Sequence, residues 1–117
     1  MDELFTISFL LDFYGQMVTK RLYEILDLHY NNDYSLGEIA QELNISRQGV
    51  YDNIKRGKAA LFEMEQKLGL VARFNRQKEK ASEILNIIEE IDAETLSCKD
   101  RESLQKARLI VRSIMED

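Results

Sequence analysis

Residues 35–54 carry the pattern that most restricts how this chain can fold. Ser35 and Ser46 each stand before an amphipathic segment, and serine hydroxyls at such positions cap helix N-termini. Glu38 follows Ser35 by three residues, which is the spacing of a capping box. Asn44 stands between the segments, and asparagine tolerates the left-handed backbone of a tight turn. This pattern predicts two short helices joined by a turn of about three residues.

Hydrophobic spacing gives these two predicted helices a shared inner side. Apolar residues three and four positions apart would lie between the helices, and a small residue at position 40 allows close crossing. Such a pair of helices is a helix-turn-helix, here spanning about residues 35–61. Its predicted core residues are Ile39, Ala40, Leu43, Ile45, Val50 and Ile54.

The rest of the chain also favours helix. Proline, the strongest helix breaker, is absent from the 117 residues, and no segment alternates polar and apolar residues as a strand would. Gly57 counts against the continuation of the fourth helix, because glycine inside a helix costs about 1 kcal/mol relative to alanine. We expect an all-α fold with helices over about residues 2–14, 20–30, 36–43, 47–68, 71–91 and 100–115.

Charge is distributed unevenly along the chain. The net charge is −5, and residues 1–45 alone contribute −6, whereas residues 46–61 contribute +3. Overall charge governs solubility while local charge governs contact, so this basic segment is a candidate phosphate-facing surface. The alternative is that its lysines and arginines only solvate an exposed helix face.

The second helix of the motif supplies the candidate binding residues. Arginine and glutamine at its start suit guanine and adenine edges in a major groove, while basic side chains further along suit phosphates. The residues predicted to contact nucleic acid are Arg47, Gln48, Tyr51, Asp52, Lys55, Arg56 and Lys58.

Apolar stripes on the last two predicted helices indicate a helical hairpin. One stripe comprises residues 81, 84, 85, 88 and 91, and the other comprises residues 104, 107, 111 and 114. We expect a helix-turn-helix domain over residues 1–70 and a C-terminal extension over residues 71–117 that contributes to a homodimer.

Residues capable of catalysis or metal binding do not form a recognisable group. His29 is the only histidine, and we expect it to be a partly buried structural residue. Cys98, the only cysteine, falls in a predicted loop and cannot form an internal disulfide, which is typical of cytoplasmic proteins. The apolar stretch of residues 4–14 is too short to span a bilayer. We therefore expect a cytoplasmic protein without catalysis, cofactor, metal or membrane insertion.

Several motifs resemble known families. Residues 35–61 look like the promoter-binding fourth region of sigma factors. The chain more closely resembles the YlxM family of helix-turn-helix proteins of low-GC bacteria, through residues 12–15, 18–19, 28–30, 35–40, 46–56 and 65–70. Gly49 departs from that family pattern, in which alanine is the expected small residue.

The resemblance implies a regulatory role in the signal recognition particle pathway and no catalytic activity. It implies two candidate nucleic-acid partners, promoter-like DNA and the RNA of the signal recognition particle. An alternative is a regulator that docks on protein components of the particle without contacting nucleic acid. A third interpretation is that the helix-turn-helix is a relic of a DNA-binding ancestor.

Overall fold

The computed structural model describes residues 3–116 and confirms an all-α fold, with no β-strand in that range. Residue 2, where the first helix was predicted to start, lies outside the described residues. Short turns complete the connections: 3₁₀ turns at Gly15–Met17 and Ala93–Thr95, and a π-helical turn at Asp27–Asn31. The helices are α1 (Glu3–Tyr14), α2 (Lys20–Leu26), α3 (Leu36–Leu43), α4 (Arg47–Leu68), α5 (Leu70–Glu89) and α6 (Cys98–Glu116).

The helix-turn-helix has the caps that the sequence predicts. The Glu38 backbone N–H donates to Ser35 Oγ at 3.1 Å, and the Ser35 N–H donates to Glu38 Oε1 at 3.0 Å. Ser46 Oγ caps α4 by accepting from the Gly49 N–H at 2.9 Å. Asn44 ends α3 in the left-handed region with φ of 57°. These local interactions fix where α3 stops and where α4 starts.

Helices α1 to α4 enclose the main core, in a compact unit that ends at Val71. Four of the predicted motif residues are buried, and Leu43 and Ile45 are partly buried against them. The fully or almost fully buried hydrophobic residues of this unit are Ile7, Leu10, Leu11, Tyr14, Ile25, Leu26, Ile39, Ala40, Val50, Ile54 and Leu61.

A buried tyrosine holds the junction between α4 and α5. The Tyr14 hydroxyl donates to Glu65 Oε1 at 2.5 Å and accepts from the Leu70 N–H at 3.0 Å. The same Glu65 oxygen accepts from the Val71 N–H at 3.0 Å. Gly69 ends α4 in the left-handed region, a backbone conformation that glycine adopts without strain. The first N–H groups of α5, which lack partners within the helix, are satisfied by these side chains.

The second compact unit begins at Ala72 and is an antiparallel hairpin of α5 and α6. Glu89 Oε1 lies 3.0 Å from Arg108 Nε, and a small core forms around Ala81, Ile88 and Val111. Cys98 is the first residue of α6 rather than a loop residue, because α6 begins two residues before the predicted start. Within residues 3–116, no helix has the length and apolar character needed to cross a membrane.

Candidate nucleic-acid interface

The outer side of α4 carries most of the predicted contact residues. The inner side is buried by Val50, Ile54, Gly57 and Leu61, which recur at intervals of three and four residues. On a helix with 3.6 residues per turn, the intervening positions must then face outward. The exposed candidates are Arg47, Gln48, Tyr51, Asp52, Lys55 and Arg56.

Hydrogen bonds orient several of these side chains along the helix. Gln48 Nε2 donates to Asp52 Oδ1 at 3.1 Å, one turn further on. Asn53, which was not among the predicted residues, donates to the Gly49 carbonyl at 2.7 Å and accepts from Arg56 Nη2 at 3.4 Å. The side chains of Gln48 and Arg56 are therefore partly positioned before any partner binds.

Arg47 lies across the start of α3. A Cβ atom built on Gly37 would be 2.8 Å from Arg47 Nη2 and 3.2 Å from Arg47 Cζ. The missing side chain at position 37 therefore leaves the space that the guanidinium occupies. This contact joins the two helices of the motif at their exposed edge, and the sequence pattern alone did not indicate it.

Lys58 differs from the other predicted contact residues. Its ammonium forms an ion pair with Glu3 Oε1 at 2.5 Å, and its side chain is 32% exposed. This hydrogen bond with Glu3 raises the pKa of Lys58 above its usual value. The ion pair forms because α1 packs against α4, which brings the side chains of Glu3 and Lys58 together. The charge of Lys58 is therefore neutralised by Glu3 within the fold, whereas a lysine that binds phosphate needs an unpaired ammonium group.

Phe62 is an exposed aromatic residue of α4 outside the set predicted from the sequence. It lies on α4 eleven residues after Tyr51, which corresponds to about three helical turns on a similar side. Phe62 is 47% exposed and Tyr51 is 51% exposed. The eleven-residue spacing from Tyr51 could have identified Phe62 as exposed, because residues on the same side of a helix as an exposed residue also face outward.

His29, outside α4, has a structural role. His29 is partly buried, as expected, and its Nδ1 donates to the Tyr34 carbonyl at 2.8 Å. Its ring meets that of Tyr30 edge to face at 4.9 Å between centroids. Within the described part of the chain, no group of three or more His, Cys, Asp and Glu side chains could hold a metal ion.

Comparison with known proteins identifies the family. Residues 1–106 match the UPF0122 family, described as "Putative helix-turn-helix protein, YlxM / p13 like". A UPF0122 protein of Acetivibrio thermocellus is 57% identical over 116 residues, covering 99% of each chain. One from Desulforamulus reducens is 36% identical over 116 residues, covering 99% of this chain and 96% of the relative. One from Halalkalibacterium halodurans is 47% identical over 90 residues, covering 77% of this chain and 79% of the relative. The chain therefore belongs to the UPF0122 family of YlxM-like helix-turn-helix proteins.

Proposed function

We propose that this protein is a non-enzymatic, cytoplasmic regulator that binds nucleic acid through the outer side of α4. The carrying observation is that Arg47, Lys55 and Arg56 are exposed on a capped helix whose opposite side is held by the core. These cations lie in an otherwise acidic unit, so they are the place where phosphates would be attracted. Membership of a helix-turn-helix family supports the same proposal.

The side chains divide into two roles in this proposal. Arg47 and Gln48, in the first turn of α4, contact base edges, while Lys55 and Arg56 contact phosphates. Tyr51 lies between these groups and can stack on an unpaired base. The partner is promoter-like DNA or the RNA of the signal recognition particle, and the same surface fits either.

Fluorescence anisotropy with labelled duplex DNA and with signal recognition particle RNA tests the proposal. With two phosphate-contacting cations, Lys55 and Arg56, log K should fall against log salt with a slope of about −1.8 for duplex DNA and about −1.4 for single-stranded RNA. The double variant Arg47→Ala, Lys55→Ala should lose binding. Lys20→Ala, Arg21→Ala makes the same charge change on α2 and should retain it. Equal binding by the parent and the first variant would disprove the proposed surface.

A second candidate function is docking on a protein component of the signal recognition particle. The exposed ring of Phe62, in line with Tyr51, favours it, because exposed aromatics are typical of protein interfaces. If neither nucleic acid binds at low salt, this function takes precedence. Calorimetric titration with the particle protein should then give a signal that Phe62→Ala abolishes.

We also propose that the protein acts as a homodimer, which would present two copies of α4 to a partner. The support is the large exposed apolar surface of the α5–α6 hairpin. Light scattering coupled to size exclusion should give twice the chain mass of 13.7 kDa at micromolar concentration. A monomer under those conditions would exclude the dimer.

A further inference from the structure

The α5–α6 hairpin has too small an interior for its hydrophobic content. Within the described residues of this unit, Ala81, Ile88 and Val111 are its buried core. Isoleucines elsewhere on the same two helices remain widely exposed, up to 61% for Ile87 and 64% for Ile110. A pair of helices has one mutual contact line, so additional apolar sides need another helical layer to cover them.

Four exposed isoleucines share one side of the hairpin. Ile84 and Ile114 line the same groove of about 390 Å³ between α5 and α6. Ile87 follows Ile84 by three residues on α5, and Ile110 precedes Ile114 by four on α6, so they continue this side along each helix. We name these residues, Ile84, Ile87, Ile110 and Ile114, the isoleucine face.

The charges of α5 identify what covers this face. Within α5, residues 72–80 carry four basic and one acidic side chain, whereas residues 81–89 carry two acidic side chains, Glu83 and Glu89, and no basic one. Glu89 is also paired with Arg108 of the same hairpin. The helix is therefore basic in one half and acidic in the other. A second copy of α5 running antiparallel brings opposite charges together, while a parallel copy would align like charges. The surface is complementary to itself in the antiparallel sense.

We infer that two copies of this chain pack through their isoleucine faces, with α5 antiparallel to α5 of the partner, to form a four-helix bundle. This inference specifies the geometry of the proposed homodimer and rests on that proposal. A two-fold axis would relate the isoleucine faces of the two copies. It would also place the basic half of each α5 opposite the acidic half of the other. The isoleucines supply the apolar core of the bundle and the charge halves of α5 set its direction.

Paired substitutions, one on α5 and one on α6, test the face. Ile110→Lys together with Ile87→Lys should weaken dimerisation by about 100-fold or more, because these are the two most exposed side chains of the face and each lysine would bury an unpaired charge in the inferred interface. Leu109→Lys is the control for a lysine on α6 outside the face, since Leu109 is 56% exposed but points about 100° away from Ile110 around the helix. It should leave the dimer intact. Circular dichroism should show unchanged helix content in both variants.

Cysteine cross-linking tests the direction of packing. In a Cys98→Ser background, Gln77→Cys and Ile84→Cys place single thiols seven residues, or about two turns, apart on the side of α5 that lines this groove. Antiparallel packing predicts that mixing the two variants under mild oxidation gives mainly the mixed disulfide. Predominant Gln77→Cys homodimers would show parallel packing and overturn the inference.

These experiments distinguish failure of the homodimer from failure of the isoleucine face as its interface. A monomeric parent protein removes the homodimer itself, and with it the inference. A dimeric parent that tolerates the Ile87→Lys, Ile110→Lys pair, or that dissociates equally with Leu109→Lys, retains the homodimer but overturns the isoleucine face. Loss of the dimer in the pair alone, with mixed disulfides, supports both.

Discussion

Leu26 of α2 occupies the space that a side chain at Gly57 of α4 would need. A Cβ atom at position 57 would lie 2.7 Å from Leu26 Cδ1 and 3.2 Å from Leu26 Cγ. Leu26 is fully buried, so its side chain is confined by the surrounding core. Gly57 is therefore a close-packing position, and α4 remains unbroken over 22 residues despite it.

Gly57→Ala should destabilise the protein although alanine is the better helix former. Helix propensity favours alanine by about 1 kcal/mol, but overpacking a confined core costs about 1–3 kcal/mol. We expect a net loss of about 1 kcal/mol in the free energy of unfolding, measured by denaturant titration.

Ala59→Gly is the control for this comparison. Ala59 is exposed on the same helix, so the change should cost about 1 kcal/mol through propensity alone. If Gly57→Ala instead stabilises the protein by a similar amount, the contact with Leu26 does not restrict position 57.

Gly37→Ala should affect binding more than stability. The new methyl group would displace the Arg47 guanidinium, which is the flexible end of an exposed side chain and can move at little cost. The midpoint of thermal unfolding should therefore stay close to that of the parent. Affinity for nucleic acid should fall several-fold, because Arg47 loses its preset position. Unchanged affinity in an anisotropy titration would show that the contact between Gly37 and Arg47 does not matter for binding.

Substitutions of Lys55 and Lys58 should have different effects, the first on nucleic-acid affinity and the second on stability. Lys55→Ala removes an exposed charge and should lower affinity while reducing the salt slope by about 1. Lys58→Ala removes the partner of Glu3 and should leave affinity unchanged, with a stability loss below about 1 kcal/mol because the pair is partly exposed. Anisotropy and thermal unfolding on both variants provide the comparison. The reverse order of affinities would make Lys58 the phosphate contact.

Tyr14→Phe should weaken the junction between α4 and α5. The variant keeps the ring but loses the hydroxyl that donates to Glu65 and accepts from the Leu70 N–H. We expect a loss of about 1–2 kcal/mol in the free energy of unfolding, since a partly buried N–H would lose its partner. Tyr23→Phe, at an exposed position, should have almost no effect. Equal stability of the two variants would contradict the role given to Tyr14.

Stability should fall in alkaline solution, and Tyr14 should contribute to the fall. Burial and the hydrogen bond to Glu65 raise the pKa of Tyr14 above its usual value near 10.0. The folded state therefore favours the neutral phenol, and this stabilisation is complete below pH 10 and lost as pH rises through the raised pKa. Denaturant titrations across this window should give a shallower decline for Tyr14→Phe than for the parent. Identical declines would assign the effect to Tyr30 or Lys58, whose pKa values are also raised.

The candidate interface could be predicted where it depends on helix periodicity. Val50 and Ile54 face inward, so the exposure of Tyr51 and Lys55 followed from their spacing along α4. Lys58 also has a position near that side, but its engagement with Glu3 depends on how α1 packs against α4. No local pattern shows a contact between side chains 55 residues apart.

The sequence by itself determined the local structure: the helices, their serine caps at Ser35 and Ser46, and the left-handed turn at Asn44. These features depend on backbone propensity and on hydrogen bonds within a few residues, so they can be predicted from neighbouring residues in the sequence. The tertiary structure alone decided that Gly57 accommodates Leu26 and that Gly37 accommodates Arg47. Both contacts arise because closely packed helices leave room for only one side chain at each point of contact. Which side chain fills that space depends on how the helices pack, so it cannot be predicted from local sequence.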